Sequence, residues 1–470
     1  VNDTYNVNLR ETSDEAALDD LLDRQRKFFS TNATKDVGFR RRALRRLREA
    51  TLAAEDEIVA ALERDLGKSR FEAYVSEIGV TLDDLKFIEK RTTKWAKPKR
   101  VPTPLAHFPA KSRILPEPYG VSLIIAPWNY PFQLAISPLL GAIAAGNTAI
   151  IKPSEIAPAT AEIVARIADE TFDEEYVAVV RGGVEVSKAL LERRFDHIFF
   201  TGGTRVGKIV MEQAAKRLTP VTLELGGKSP AIIDASAKIE TSARRLAWGK
   251  LLNAGQTCVA PDYALVHERV FDSFVEALGA AFDSFVPGED WREDYPKIVS
   301  DSHFERLRAL MKEGETLYGG AIDEETRRIQ PTLLGAVPDD ATIMREEIFG
   351  PLLPVLPVAD LDEAIRRVNE KEKPLALYYF GENAANRDRV LRETSFGGGC
   401  VNDTIVHLAT SRLPFGGVGE SGMGNYHGEA SFRAFSHYRS VLRKSTLLDL
   451  PLRYPPYTAK KLSWIKRVIG

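Results

Sequence analysis

The chain has 470 residues, 44% of them hydrophobic and 28% charged, with a formal net charge of -2. This is the balance of an ordinary globular protein, too long for one core, so about two or three domains are expected and nothing advertises a polyanionic partner such as nucleic acid. Two cysteines, Cys258 and Cys400, exclude a disulfide framework and favour a reducing, cytoplasmic compartment, and seven histidines without HxxxH or CxxC spacing give no metal site.

The start, Val-Asn-Asp-Thr, carries no signal-peptide pattern, and residues 1–15 are expected to be loosely fixed. Helical spacing of apolar residues follows over 19–29 and 40–66, and again over 72–92. The basic cluster 40–48 alternates with Leu and Ala and reads as a solvated helix face. Residues 97–118 hold six prolines among basic residues and read as a linker or protruding arm. Residues 119–151 lack any charge, but prolines, glycines and asparagines interrupt them, so strand, helix and strand through a core are expected instead of a membrane span.

Strand-like runs at 121–126, 148–152, 177–181 and 197–201 alternate with helical runs at 132–145, 159–171, 186–192 and 206–218. That alternation predicts a parallel α/β sheet whose ligands lie at the carboxyl ends of its strands. After the strand 221–225 and the turn 226–230, a second α/β unit is expected to about residue 420, and the basic, aromatic tail to Gly470 is expected to pack or lie on the surface.

Chemistry concentrates at the turns. Asn253-Ala-Gly-Gln-Thr-Cys258 sets a thiol on a polar turn between a helical run and a strand. A nucleophilic cysteine needs such a setting, since the thiolate is the reactive form; a lone cysteine read without its neighbours is a small buried thiol. Glu224 ends a strand between Leu223 and Leu225, where burial would raise its pKa toward that of a general base; alone, it is an ordinary strand-end carboxylate. Asn129 reads as an oxyanion donor or a helix cap. Lys152 and Glu155 could hold a nucleotide ribose or form a surface ion pair. Gly202-Gly-Thr-Arg-Val-Gly207-Lys208 opens a helix where a phosphate could sit, but Ile209 stands where a P-loop needs Ser or Thr. Together these give a nucleophile, a base, an oxyanion donor and a dinucleotide surface.

Pro127-Trp-Asn-Tyr-Pro-Phe132, Lys152-Pro-Ser-Glu155, Leu223-Glu-Leu-Gly-Gly-Lys-Ser-Pro230, Gly255-Gln-Thr-Cys258 and Glu347-Ile-Phe-Gly-Pro351 resemble, in order, the motifs of the aldehyde dehydrogenase superfamily. Trp-Asn-Tyr, Cys-Val-Ala-Pro-Asp-Tyr and Ser421-Gly-Met-Gly-Asn-Tyr-His-Gly428 look most like its class 3 branch of fatty, aromatic and coniferyl aldehyde enzymes. The resemblance implies an α/β fold with a Rossmann-like dinucleotide-binding domain (1–97 and 118–225) and a catalytic domain holding the cysteine loop (226–425). Residues 98–117 and 426–470 would form a bridging, oligomerising element. It implies NAD or NADP as cofactor, an aldehyde substrate oxidised to the acid, and a homodimer.

By resemblance Cys258 attacks, Asn129 and the Cys258 amide hold the oxyanion, and Glu224 activates water on the thioester. Lys152 and Glu155 would hold the adenosine ribose, Gly202 and Gly207 the phosphates, and Glu347 and Phe349 the nicotinamide ribose and ring. Tyr130, Trp248, Ile405, Phe415 and His427 would line an apolar aldehyde pocket, unless they are simply core. Two departures stand out: Gly203 where the family usually has Ser, and a tail without the hydrophobic anchor of fatty-aldehyde relatives. Glu224 argues against an acylating, coenzyme A-dependent reaction, and Ile209 against an NTPase. A non-catalytic nucleotide-binding protein would not need Cys258, Glu224 and Asn129 together.

Overall fold

Runs of Val, Ile and Ala that are buried on both faces make parallel strands only when helices cover both sides of the sheet. Val121–Ile125 and Thr148–Lys152 are such runs, buried at every position. The computed structural model describes residues 15–286, 295–449 and 451–469; the loosely fixed start expected at 1–15 lies, but for its last residue, outside the described residues.

One six-stranded sheet runs, edge to edge, Gly422–Met423, Val221–Glu224, His197–Thr201, Val121–Ile125, Thr148–Lys152, Val177–Val179. All neighbours are parallel except the first two. The chain builds from Val121–Ile125 to one side, then returns to the other. Strand order therefore reverses between Val121–Ile125 and His197–Thr201, the place where such a sheet opens a crevice. The uncharged run is strand, helix Gln133–Ala145 and strand, as its interruptions predict. Among the described residues no helix is long and apolar enough to cross a membrane.

The second sheet has seven strands, in the order Glu315–Tyr318, Thr332–Gly335, Leu352–Val358, Tyr263–His267, Pro230–Ile233, Ala376–Phe380, Gly398–Val401. Its only antiparallel pair is the first. One apolar cluster reaches from Leu44 and Ile124 to Val355 and Tyr378, so the two sheets share a core.

Three expectations need correction. The proline-rich stretch is no linker: Lys99–Val101 and Ala110–Pro118 are strands, and Ala110–Pro118 pairs antiparallel with Ser436–Lys444 over nine residue pairs. Pro116 and Pro118 are tolerated in the middle strand because Lys99–Val101 pairs only with Ser112–Ile114, which leaves that side of the strand unpaired at both prolines. The single helix expected over 72–92 is interrupted by a π turn, Tyr74–Ile78, before Gly79–Trp95. Arg40 is buried, not solvated: its guanidinium donates to Thr34 O at 2.6 Å and to Ala144 O at 3.1 Å. A cation is favourable at the carboxyl end of the helix that contains Ala144.

Candidate active site

The cysteine turn lies between helix Ile239–Leu251 and strand Tyr263–His267. It reverses direction through three successive left-handed residues, Asn253 (φ 53°), Ala254 (φ 52°) and Gly255 (φ 72°). A Cβ on Gly255 would stand 2.2 Å from the Gly350 carbonyl oxygen, so this position admits no side chain. Gln256 is wholly buried and pins the turn: its amide donates to Asn253 O at 3.1 Å and Lys297 O at 3.0 Å, and accepts from Val299 N at 3.0 Å.

Asn129 sits on the turn after Val121–Ile125 and is not a helix cap. Its side-chain amide donates to Gln256 O at 3.0 Å, two residues before Cys258, and its main-chain carbonyl accepts from the Asn253 side chain at 2.8 Å and from Lys68 at 3.0 Å. Lys68 is itself ion-paired at 2.6 Å with Glu77, both fully buried, and Glu77 accepts the amides of Phe132 and Gln133 at the start of the next helix. Tyr130 completes the tie, its hydroxyl 2.6 Å from Thr257 Oγ1 and its ring 4.0 Å from the Lys68 ammonium. This support was missed in the sequence. Lys68 and Glu77 carry no motif, and only the tertiary fold brings them under Asn129.

Cys258 is half-buried and lines a cavity of about 260 Å³, so it is not core filler. Burial, then the carboxylates of Glu347 and Glu224, push its thiol well above the usual range. Glu224, 2% exposed, lines the same cavity, and neither of its oxygens has a hydrogen-bond partner. Burial holds its carboxyl far above the ordinary carboxylate range. Tyr130, Trp248, Ile405, Phe415 and His427 all line this cavity, joined by Thr201 and by Thr257 and Tyr426, which lie inside the quoted motifs but were not singled out as lining. Ile405 (φ 61°) and His427 (φ 75°) are left-handed, as Asn253 and Ala254 are. Strain of this kind gathers where surrounding structure fixes a functional geometry.

The remaining sequence candidates lie along the carboxyl edge of the first sheet and the turn facing it. Lys152 is 3% exposed and pairs with the more open Glu155 at 2.5 Å, so this is no ordinary surface ion pair. Gly203 precedes helix Thr204–Ala215 in an extended conformation, without a side-chain cap, leaving the first helical amides free for an anion. A Cβ on Gly202 would meet Phe200 at 2.6 Å, one on Gly207 would meet Leu225 at 2.6 Å, and one on Gly203 would meet nothing within 4 Å. Lys208 pairs with Glu420 at 2.7 Å, which leaves the P-loop reading without its cation.

Glu347 presses on Gly226, where any Cβ would lie 2.1 Å from its carboxylate, and one of its oxygens is buried without a partner. Burial first, then Asp262, raises it to about 8. Phe349 is left-handed (φ 50°) and meets Trp128 edge to face at 5.2 Å. Free helix-end amides, a buried lysine and a buried carboxyl with one oxygen unpartnered suit the phosphates and ribose hydroxyls of a dinucleotide. Cys400 stands apart, its sulfur 3.4 Å from His407 Nδ1. Among the described residues no cluster of three His, Cys, Asp or Glu could hold a metal ion.

A reversing parallel sheet thus carries, at its crevice, a thiol and a buried carboxyl that line one cavity. The model of the aldehyde dehydrogenase family matches residues 6–441, and the chain belongs to that family. It is 51% identical over 437 residues to 4,4'-diaponeurosporen-aldehyde dehydrogenase of Staphylococcus aureus, covering 92% of this chain and 95% of that one. It is 45% identical over 447 residues to mouse aldehyde dehydrogenase family 3 member A2, covering 94% and 92%. A solved substrate-bound structure of AldH from Staphylococcus aureus superposes with a TM-score of 0.94 at 48% identity, over 96% of this chain and 99% of that one. The fold is the aldehyde dehydrogenase fold, and the relatives fit the class 3 branch. The protein is an enzyme that oxidises aldehydes with NAD or NADP.

Proposed function

We propose that Cys258 is the nucleophile, Asn129 with the Cys258 amide the oxyanion site, and Glu224 the base of an acid-forming reaction. The observation that carries this reading is the Glu224 carboxyl, buried with both oxygens unpartnered in the cavity that Cys258 lines. A buried acid without partners destabilises a fold, and its retention is explained by work that needs a proton acceptor. The Cys258 thiol gives up its proton to solvent, the thiolate sulfur adds to the aldehyde carbon, and the oxygen takes the negative charge beside Asn129 Nδ2. The cofactor, when bound, accepts the hydride, and its oxidised ring is positive, which favours the thiolate. Loss of that hydride leaves a thioester on Cys258. Glu224 takes a proton from water, the hydroxide oxygen bonds to the acyl carbon, and the carbon–sulfur bond breaks to release the acid and Cys258.

Lys152 and Glu155 are assigned to the adenosine ribose, Gly202 and Gly207 to the phosphate turn, and Glu347 and Phe349 to the nicotinamide end. Tyr130, Trp248, Ile405, Phe415 and His427 form the aldehyde walls, which suit a medium-chain or aromatic body. The chain divides into a dinucleotide-binding domain (1–97 and 118–225), a catalytic domain (226–425) and a bridging element (98–117 and 426–470). The nine-pair ladder between 110–118 and 436–444 supports that last grouping. A cytoplasmic homodimer completes the reading; one relative, from rat, 44% identical, is named as dimeric and NADP-preferring.

Reduced-cofactor absorbance with benzaldehyde and hexanal tests the assignment. Wild type makes NAD(P)H and acid continuously, Cys258→Ala makes none, and Glu224→Gln stops after one equivalent. Full activity in Cys258→Ala would overturn the reading. Acceleration of product formation by added coenzyme A would show the acylating reaction instead.

A further inference from the structure

A second cavity, of about 470 Å³, adjoins the first, and Ser411 and His427 line both. Helix Gly79–Trp95 passes along the two: Asp84 faces the first, and Phe87, Arg91 and Lys94 line the second, spaced to share one side of the helix. The second cavity is basic. It holds Arg91, Lys94, Arg412 and Arg433 against one carboxylate, Glu429, which is occupied by Arg433 at 2.7 Å. Among the described residues, Arg91, Lys94 and Arg412 have no ion-pair partner. Two guanidiniums converge on one ring, with Arg91 3.7 Å and Arg412 5.9 Å from the centre of Phe87. Like charges gathered over one apolar platform repel each other unless an anion lies between them.

We propose that this cavity binds an anionic group, a carboxylate or phosphate, at the far end of an aldehyde whose carbonyl lies at Cys258. This rests on the reading of the Cys258 cavity as the aldehyde site. The preferred substrate then has three parts: an aldehyde, an apolar body in the first cavity, and a terminal anion between Arg91 and Arg412. Asp84, on the wall of the first cavity, repels an anion there, so the charge must lie beyond it. Length therefore matters as much as charge. A short aldehyde bearing a carboxylate gains nothing, and one long enough to reach past His427 does.

The test uses straight-chain aldehydes of increasing length, each ending in a carboxylate or in its methyl ester, with the full chain and saturating cofactor. The expected result is a length above which kcat/KM favours the acid over its ester by about tenfold, the size of one charge-assisted hydrogen bond. Rising salt should shrink that ratio. Arg412→Ala and the pair Arg91→Gln with Arg412→Ala should bring the ratio toward one, mainly through KM. The inference is overturned if no length favours the acid, or if the preference survives the double variant. Loss of Cys258 dependence with plain hexanal would mark failure of the aldehyde site itself, a different outcome from ester and acid being used equally well.

Discussion

At the scale of single residues, the site is governed by desolvation. Cys258 is held up by burial, then by Glu347, then by Glu224. Both carboxyls raise the thiol through their negative charge, so removing either one should stabilise the thiolate. Alkylation of Cys258 by iodoacetamide in the cofactor-free enzyme should therefore have its pH midpoint lowered in Glu347→Gln, and lowered less in Glu224→Gln. An unmoved midpoint in both variants would mean that the carboxyls do not face the sulfur. The base must also ionise before it can act, and burial raises Glu224. Steady-state turnover should rise with pH, over a range above that of an ordinary carboxylate, wherever hydrolysis of the thioester limits it. Cys258, Glu224 and Asn129 could be singled out in the sequence because each sits in a motif at or beside a turn next to a strand. Lys68 and Glu77 were not, since nothing local to either shows that they meet beneath Asn129.

At the scale of elements, the turns decide what the site can do. Gly203 has an extended backbone, an uncapped helix behind it and open space where a side chain would go. Gly203→Ser should stabilise the fold by a few tenths of a kcal/mol through capping. It should also tighten cofactor binding, since the new hydroxyl joins the free amides; calorimetry and fluorescence titration read the two effects separately. Gly255→Ala should do the reverse, since a methyl group would collide with the Gly350 carbonyl at a left-handed position. A loss of about 1–3 kcal/mol is expected, with activity lost along with it. Glu77→Gln, which strands the Lys68 ammonium in the core, should cost about 3–5 kcal/mol in chemical denaturation. The parallel strands and helices of the first sheet were readable because burial on both faces writes continuous apolar runs. The π turn at Tyr74–Ile78 and the strand Ser436–Lys444 were not. The first lies within an unbroken helical pattern, and the second is almost wholly exposed, so no apolar periodicity marks it.

At the scale of the whole molecule, two sheets share one core, and a third small sheet ties residues 99–118 to 436–444. If that small sheet is the oligomerising element, ending the chain at residue 435 should abolish the dimer in sedimentation, while ending it at 450 should keep it. The proline-rich stretch reads as a linker or protruding arm because its pattern is irregular. Its true state depends on a strand more than 300 residues later, a pairing that no local signal announces. The central claim concerns the covalent step, and mass spectrometry of the Cys258 peptide tests it most directly. Glu224→Gln quenched after mixing with hexanal and NAD should carry an acyl group on Cys258, with one equivalent of NADH formed and little acid released. An unmodified Cys258 peptide alongside continued production of NADH and acid would contradict the account.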